Sequence, residues 1–148
     1  MKRFQFQLQS VLDFKQRALD DLMVQLDQAQ GRVMTQEHKR DEAREKLVSY
    51  DAEFSEKRAA GFTNVEALEY EAGQRVLEQR LKREQTLLEQ RQREFETKRQ
   101  EVIEARQETR AIEKLKELRR GEYDEALRKA DEKMLDDLTA ARRAQAVG

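Results

Sequence analysis

The residues that could do chemistry are few. His38 is the single histidine of the 148 residues, and there is no cysteine. Flanked by Glu37 and Lys39, His38 reads as a solvated imidazole on a polar helix face rather than as a general base or a metal ligand. Without cysteine there is no disulfide, no thiolate zinc site and no cysteine nucleophile. Ser10, Ser49 and Ser55 have no histidine placed to activate them, and no glycine-rich phosphate loop occurs. The carboxylate pairs Asp20-Asp21 and Asp136-Asp137 lie among lysines and arginines, the pattern of a helix surface and not of a cation cage. The sequence therefore predicts no catalytic residue, no metal and no cofactor. The protein is expected to act by contact and not as an enzyme.

Contact needs surfaces, and the elements that carry them are helices. Steps of four and three from Leu8 land on Leu12, Lys15, Leu19, Leu22, Leu26, Ala29, Val33, Gln36, Arg40, Ala43, Leu47, Tyr50 and Phe54. Of these fourteen positions only Lys15, Gln36 and Arg40 are polar, and the residues between are mostly charged or amide side chains. A stripe that holds one phase for six heptads belongs to a helix lying along a partner helix. Composition agrees: proline, the residue most costly inside a helix, is absent, glycine occurs five times, and 41% of residues are charged. Such a chain can make thin helical seams but not a thick globular core. The net charge of −1 and the regular spacing of apolar residues argue against disorder.

Ahead of this helix, Phe4, Phe6 and Leu8 alternate with Arg3, Gln5 and Gln7 in a ragged lead-in, with Ser10 as a candidate cap and Asp13 near the positive end of the helix dipole. The stripe stops after Phe54, and the uncharged run Ala59-Ala60-Gly61-Phe62-Thr63-Asn64 follows. Thr63-Asn64-Val65-Glu66 fits a capping box, in which hydroxyl and carboxylate satisfy free backbone N–H groups at a helix start. A short helix over 64–72, with Val65, Leu68 and Ala72 on one side and an end or bend at Gly73, is expected there. The second long helix carries Leu77, Leu81, Glu84, Leu88, Arg91, Phe95, Lys98, Val102 and Ala105 in its seam. From Ile112 the phase is expected to slip, continuing through Leu115, Leu118 or Arg119, Tyr123, Leu127, Ala130, Met134, Leu138 and Ala141. Pairs at i,i+4 such as Glu42/Lys46, Glu53/Lys57 and Glu94/Lys98 are expected on the solvated faces.

These elements predict an all-α chain: one long two-helix antiparallel coiled-coil hairpin with a short helix or turn at its tip. It forms a single domain over 1–148, with helix one over about 8–58, the turn and short helix over 59–73, and helix two over 74–143. Helix one would span roughly 80 Å and helix two roughly 105 Å, so the final 15 to 20 residues, by that geometry, overhang as a single helix. Folding back within one chain avoids the translational entropy loss of dimerising, which favours a monomer when free over a parallel or antiparallel homodimer. No stretch nears the roughly 20 apolar residues that span a bilayer, and residues 1–6 lack the apolar core of a secretory signal. Interspersed acids and bases argue against a nucleic-acid tracking surface and against a membrane-surface helix.

Two blocks carry a resemblance. Phe4-x-Phe6-x-Leu8-x-x-Val11-Leu12-Asp13 and the run from Ile112-Glu113-Lys114-Leu115-Lys116-Glu117 through Tyr123 to Asp131-Glu132-Lys133-Met134-Leu135-Asp136-Asp137-Leu138 resemble FliJ, of flagellar type III export. The resemblance implies a stalk-like two-helix coiled coil that binds the FliI-like export ATPase hexamer, promotes its assembly and activity, contacts the FlhA-like export gate and escorts export chaperones. It implies a ring-facing end bearing Phe4, Phe6, Leu8, Tyr123, Glu132, Lys133, Asp136, Arg142 and Arg143, and a gate-facing surface bearing Leu47, Tyr50 and Phe54. It also implies a cytoplasmic protein held peripherally at the inner face of the inner membrane through the export apparatus. Phe54, where the family often has Tyr, and Gly73 and Gly121, inside helical segments, depart from its pattern. An injectisome stalk shares the same loose pattern. A structural or holdase-type coiled coil without an ATPase partner is the reading from a different class.

Overall fold

The computed structural model describes residues 2–147, which form two helices packed against each other as an all-α hairpin: α1 (Gln9–Ala60) and α2 (Asn64–Val147). Packing divides them into two compact units, one made of the segments up to Asp20 and from Glu104 onward, the other of Asp21–Ile103.

The seam of α1 is the one the spacing predicts. Every stripe position from Leu12 to Phe54 is half-buried or buried, and Leu8 alone is exposed, at 40%. The polar interruptions sit in the seam with partners. In the unit containing the termini, Lys15 Nζ lies 2.8 Å from Glu108 Oε2 and Gln16 donates to Glu113. In the other unit, Gln36 is 4% exposed and its amide donates both to the Glu84 backbone carbonyl, at 3.0 Å, and to the Glu84 carboxylate, at 2.5 Å. Arg40 stays on its own helix, pairing with Asp41.

On α2 the four–three phase persists further than expected. The seam positions from Leu77 to Ala105 are half-buried or buried, and Thr109, Ile112 and Lys116 continue the same phase. Leu115 is half-buried beside Lys116 and the next in-phase residue, Arg119, is exposed, so the slip expected from Ile112 falls between Leu115 and Arg119. Buried Thr109 hid the continuity, because a polar residue marks no stripe; its hydroxyl donates to the Ala105 carbonyl at 2.8 Å and so stays satisfied. Leu118 and Arg119 are exposed rather than in the seam. Leu88, at 0% exposure, is the most deeply buried large side chain, with Ala29, Ala43, Phe54 and Val102 among the buried apolar residues of its unit.

The turn is shorter than predicted. Only residues 61–63 separate the helices, and residues 64–72 are the first turns of α2, not a separate short helix. Gly61 takes the positive φ (91°) that ends α1, next to Lys57 and Arg58 at the negative end of its dipole. Thr63 caps α2, its hydroxyl accepting from the Glu66 N–H at 3.2 Å. At the other end Ser10 lies inside α1, which starts at Gln9 with a backbone bond from Gln9 to Phe6, so it is not the cap. With the shorter turn, Phe4 meets Tyr123. Of the surface pairs expected, Glu42 is taken by His38 and Lys98 by Glu101, while Arg91 holds Glu94. Among the described residues Glu53 and Lys57 form no ion pair.

Candidate functional site

In the unit that holds both ends of the chain, residues 2–6 form a non-helical arm, followed by a turn at 7–8, that meets α2 through Lys2 and Phe4. The Phe4 ring tilts against Tyr123 with centroids 5.5 Å apart, and the Arg120 guanidinium covers both rings, at 5.0 and 5.8 Å. The Tyr123 hydroxyl donates to the Lys2 carbonyl. The arm's non-helical backbone leaves that carbonyl free to accept, and the cation between two aromatic faces adds a π contact on the order of 0.5–1 kcal/mol at an exposed site. Phe4, Phe6, Leu8 and Tyr123 thus line one open cleft of about 610 Å³, with Leu115, Arg119 and Glu122. Four of the predicted ring-facing residues are brought together here. Arg120 was missed, although its position three residues before Tyr123 puts both on one helix face.

Beyond Leu127 every residue of α2 from 128 to 147 is exposed. The predicted Glu132, Lys133, Asp136, Arg142 and Arg143 lie on this bare helix. Arg128 bridges Glu125 and Glu132 from the middle of one helix face. Its hydrogen bonds, with its charge second, hold the Glu125 carboxyl below the ordinary glutamate range and raise the guanidinium in turn. Lys133, Asp136, Arg142 and Arg143 form no ion pair among the described residues. Met134, Leu135 and Leu138 are 60%, 62% and 52% exposed, an apolar stripe with nothing over it.

In the other unit the predicted gate-facing trio does not share one surface. Phe54 is buried, at 6% exposure, inside an aromatic cluster with Phe62 and Tyr70, its ring under the Arg58 guanidinium at 4.6 Å. Leu47 is half-buried in a groove with Arg40, Arg44, Leu81 and Lys82. Tyr50 is half-buried in a different groove with Glu42, Glu45, Glu53 and Leu77. The Tyr50 ring reaches across the seam to stack on Tyr70 at 5.5 Å, and its hydroxyl donates to the Tyr70 carbonyl at 3.0 Å. Gly73 makes this possible: a Cβ there would lie 2.1 Å from the Tyr50 hydroxyl oxygen. Gly73 is therefore the socket of Tyr50, not a helix end. Desolvation pushes the Tyr50 phenol above its ordinary range, and the nearby Tyr70 and Glu53 push the same way. Phe62 and Tyr70 were missed by the stripe, since one lies in the turn and the other in the segment read as a separate helix.

His38 is on the surface, its imidazole 3.1 Å from Glu42. Among the described residues no three of His, Asp and Glu converge as metal ligands. No described helix is long and apolar enough to cross a membrane.

The two helices pack as an all-α antiparallel coiled-coil hairpin, one unit holding an aromatic cluster beside the turn and the other an uncovered helical segment. The family model described as "Flagellar FliJ protein" matches residues 4–147, and the chain belongs to that family. Membership makes it a component of the flagellar export apparatus. No curated protein and no solved structure matches it significantly.

Proposed function

We propose that this protein is a non-enzymatic stalk of the flagellar type III export apparatus that engages the export ATPase hexamer, promotes its assembly and activity, and links it to the export gate and to export chaperones. The observation that carries the reading is the bare segment 128–147, a helix charged on several sides with an apolar stripe that none of the described residues covers. Together with the Phe4–Arg120–Tyr123 stack beside it, this segment supplies a rigid tip of the kind that can enter a ring of subunits. Glu132, Lys133, Asp136, Arg142 and Arg143 are its contacts in this reading, with Phe4, Phe6, Leu8 and Tyr123 at the collar. Leu47 and Tyr50 are the gate contacts, each in its own groove, and Phe54 acts by supporting Tyr70 rather than by touching the gate. The protein works at the cytoplasmic face of the inner membrane through these partners. Co-precipitation with the cognate ATPase, combined with the rate of ATP hydrolysis with and without the full-length chain, tests this. Co-precipitation with a raised rate is expected; absence of both would overturn it.

A further inference from the structure

The stripe left bare on α2 continues a seam that is closed earlier in the same chain: Tyr123 and Leu127 are half-buried, and Ala130, Met134, Leu138 and Ala141 follow them in the open. At 100° per residue these five positions from Leu127 to Ala141 fall on one face, with Asp124, Asp131 and Arg142 along one flank and Lys133 and Asp137 along the other. We infer that this face pairs antiparallel with the same segment of a second copy, on a twofold axis at Met134.

Three features of the stripe select that occupant. In an antiparallel pair about Met134, Leu127 meets the second copy's Ala141 and Ala130 meets its Leu138, so each large side chain is set against a small one, with Met134 against Met134 at the centre. Antiparallel helices related by a twofold axis bring like flanks together. Asp124 then faces the second copy's Arg142 on one flank, and Lys133 faces its Asp137 on the other, and symmetry repeats each pair. Of these four side chains only Asp124, with Arg120 at 3.4 Å, has an ion-pair partner among the described residues of its own chain. Thirdly, the pairing occupies residues 124–144 and leaves Tyr123, with the arm packed on it, undisturbed. The paired segment is about 21 residues, roughly 30 Å of seam, which is less than a standard interface and makes the association weak and concentration-dependent. If this stripe also serves the ATPase, as proposed above, self-pairing and ring entry exclude each other, and the paired form is a resting state; that clause rests on that proposal, whereas the pairing itself does not.

The test uses the full chain without any ATPase. Because the protein has no cysteine, single cysteines report register directly. Met134→Cys is expected to form a disulfide-linked dimer under mild oxidation. Leu127→Cys alone is expected not to, and Leu127→Cys mixed with Ala141→Cys is expected to cross-link. Sedimentation over a concentration series should give a monomer when dilute and a dimer when concentrated. Asp124→Arg or Arg142→Asp alone should weaken that dimer about tenfold, the effect of losing roughly 1.4 kcal/mol, and the double exchange should restore it. Self-cross-linking of Leu127→Cys would overturn the inference, because it marks a parallel pair. So would a monomer mass at every concentration, or a double exchange no better than the singles.

Discussion

Gly73 shows how much one missing side chain decides. Helix propensity alone favours alanine over glycine by about 1 kcal/mol, so Gly73→Ala should stabilise a solvent-exposed helix. Here the added Cβ would meet the Tyr50 hydroxyl at 2.1 Å and its ring carbon at 2.7 Å, forcing the ring out of its socket and breaking its bond to Tyr70. Overpacking of this kind costs typically about 1–3 kcal/mol, so Gly73→Ala should lower the melting temperature. Gly121→Ala, where no atom lies within 4 Å, should raise it. Thermal unfolding followed by circular dichroism of the two variants measures both signs. The Tyr50 phenol adds a pH dependence. Its folded pKa lies above the unfolded value, so its contribution is present below the ordinary phenol range near pH ~10 and is lost as pH rises through the folded value. In an alkaline titration of phenolate absorbance, Tyr50→Phe should remove a component that ionises above the ordinary phenol range. Persistence of the late component in that variant would assign it elsewhere.

At the scale of the helices, the seam is held by apolar layers and oriented by polar ones. Gln36 is buried and spends its amide on the Glu84 backbone and side chain across the seam. Removing it leaves a carboxylate half-buried without its donor, at a cost of about 1–3 kcal/mol. Gln36→Ala should therefore destabilise the hairpin in denaturant titration, whereas Gln36→Leu with Glu84→Leu should recover stability. A double variant less stable than Gln36→Ala would show that the polar layer stabilises more than it orients. Much of this was legible in the sequence. From Leu12 to Phe54 the stripe, including its three polar positions, is the seam residue for residue, because a heptad phase depends only on spacing. The turn was not, because Gly73 has the identity of a helix breaker and only the position of Tyr50 reveals its use. The α2 register was hidden at Thr109, where a hydroxyl bonded to its own helix takes a core position that reads as polar. The site split the same way. Phe4, Phe6, Leu8 and Tyr123, named through the family resemblance, come together, while Arg120 was hidden among other arginines. Phe54, a position of the stripe that the resemblance also implied as gate-facing, is buried, with Phe62 from the turn packed against it.

For the whole molecule, the decisive property is that α2 outlasts the arm and helix that cover it. The segment 128–147 makes no contribution to the buried seam, so its removal should leave the hairpin's folding intact. A truncation after Ala130 tests the central claim most directly, with the cognate export ATPase as the readout and circular dichroism melting as the control. The predicted result is a chain that melts like the full-length protein and no longer raises the rate of ATP hydrolysis. A truncated chain that stimulates the ATPase as well as the full-length protein would contradict the assignment of the uncovered helix as the working end.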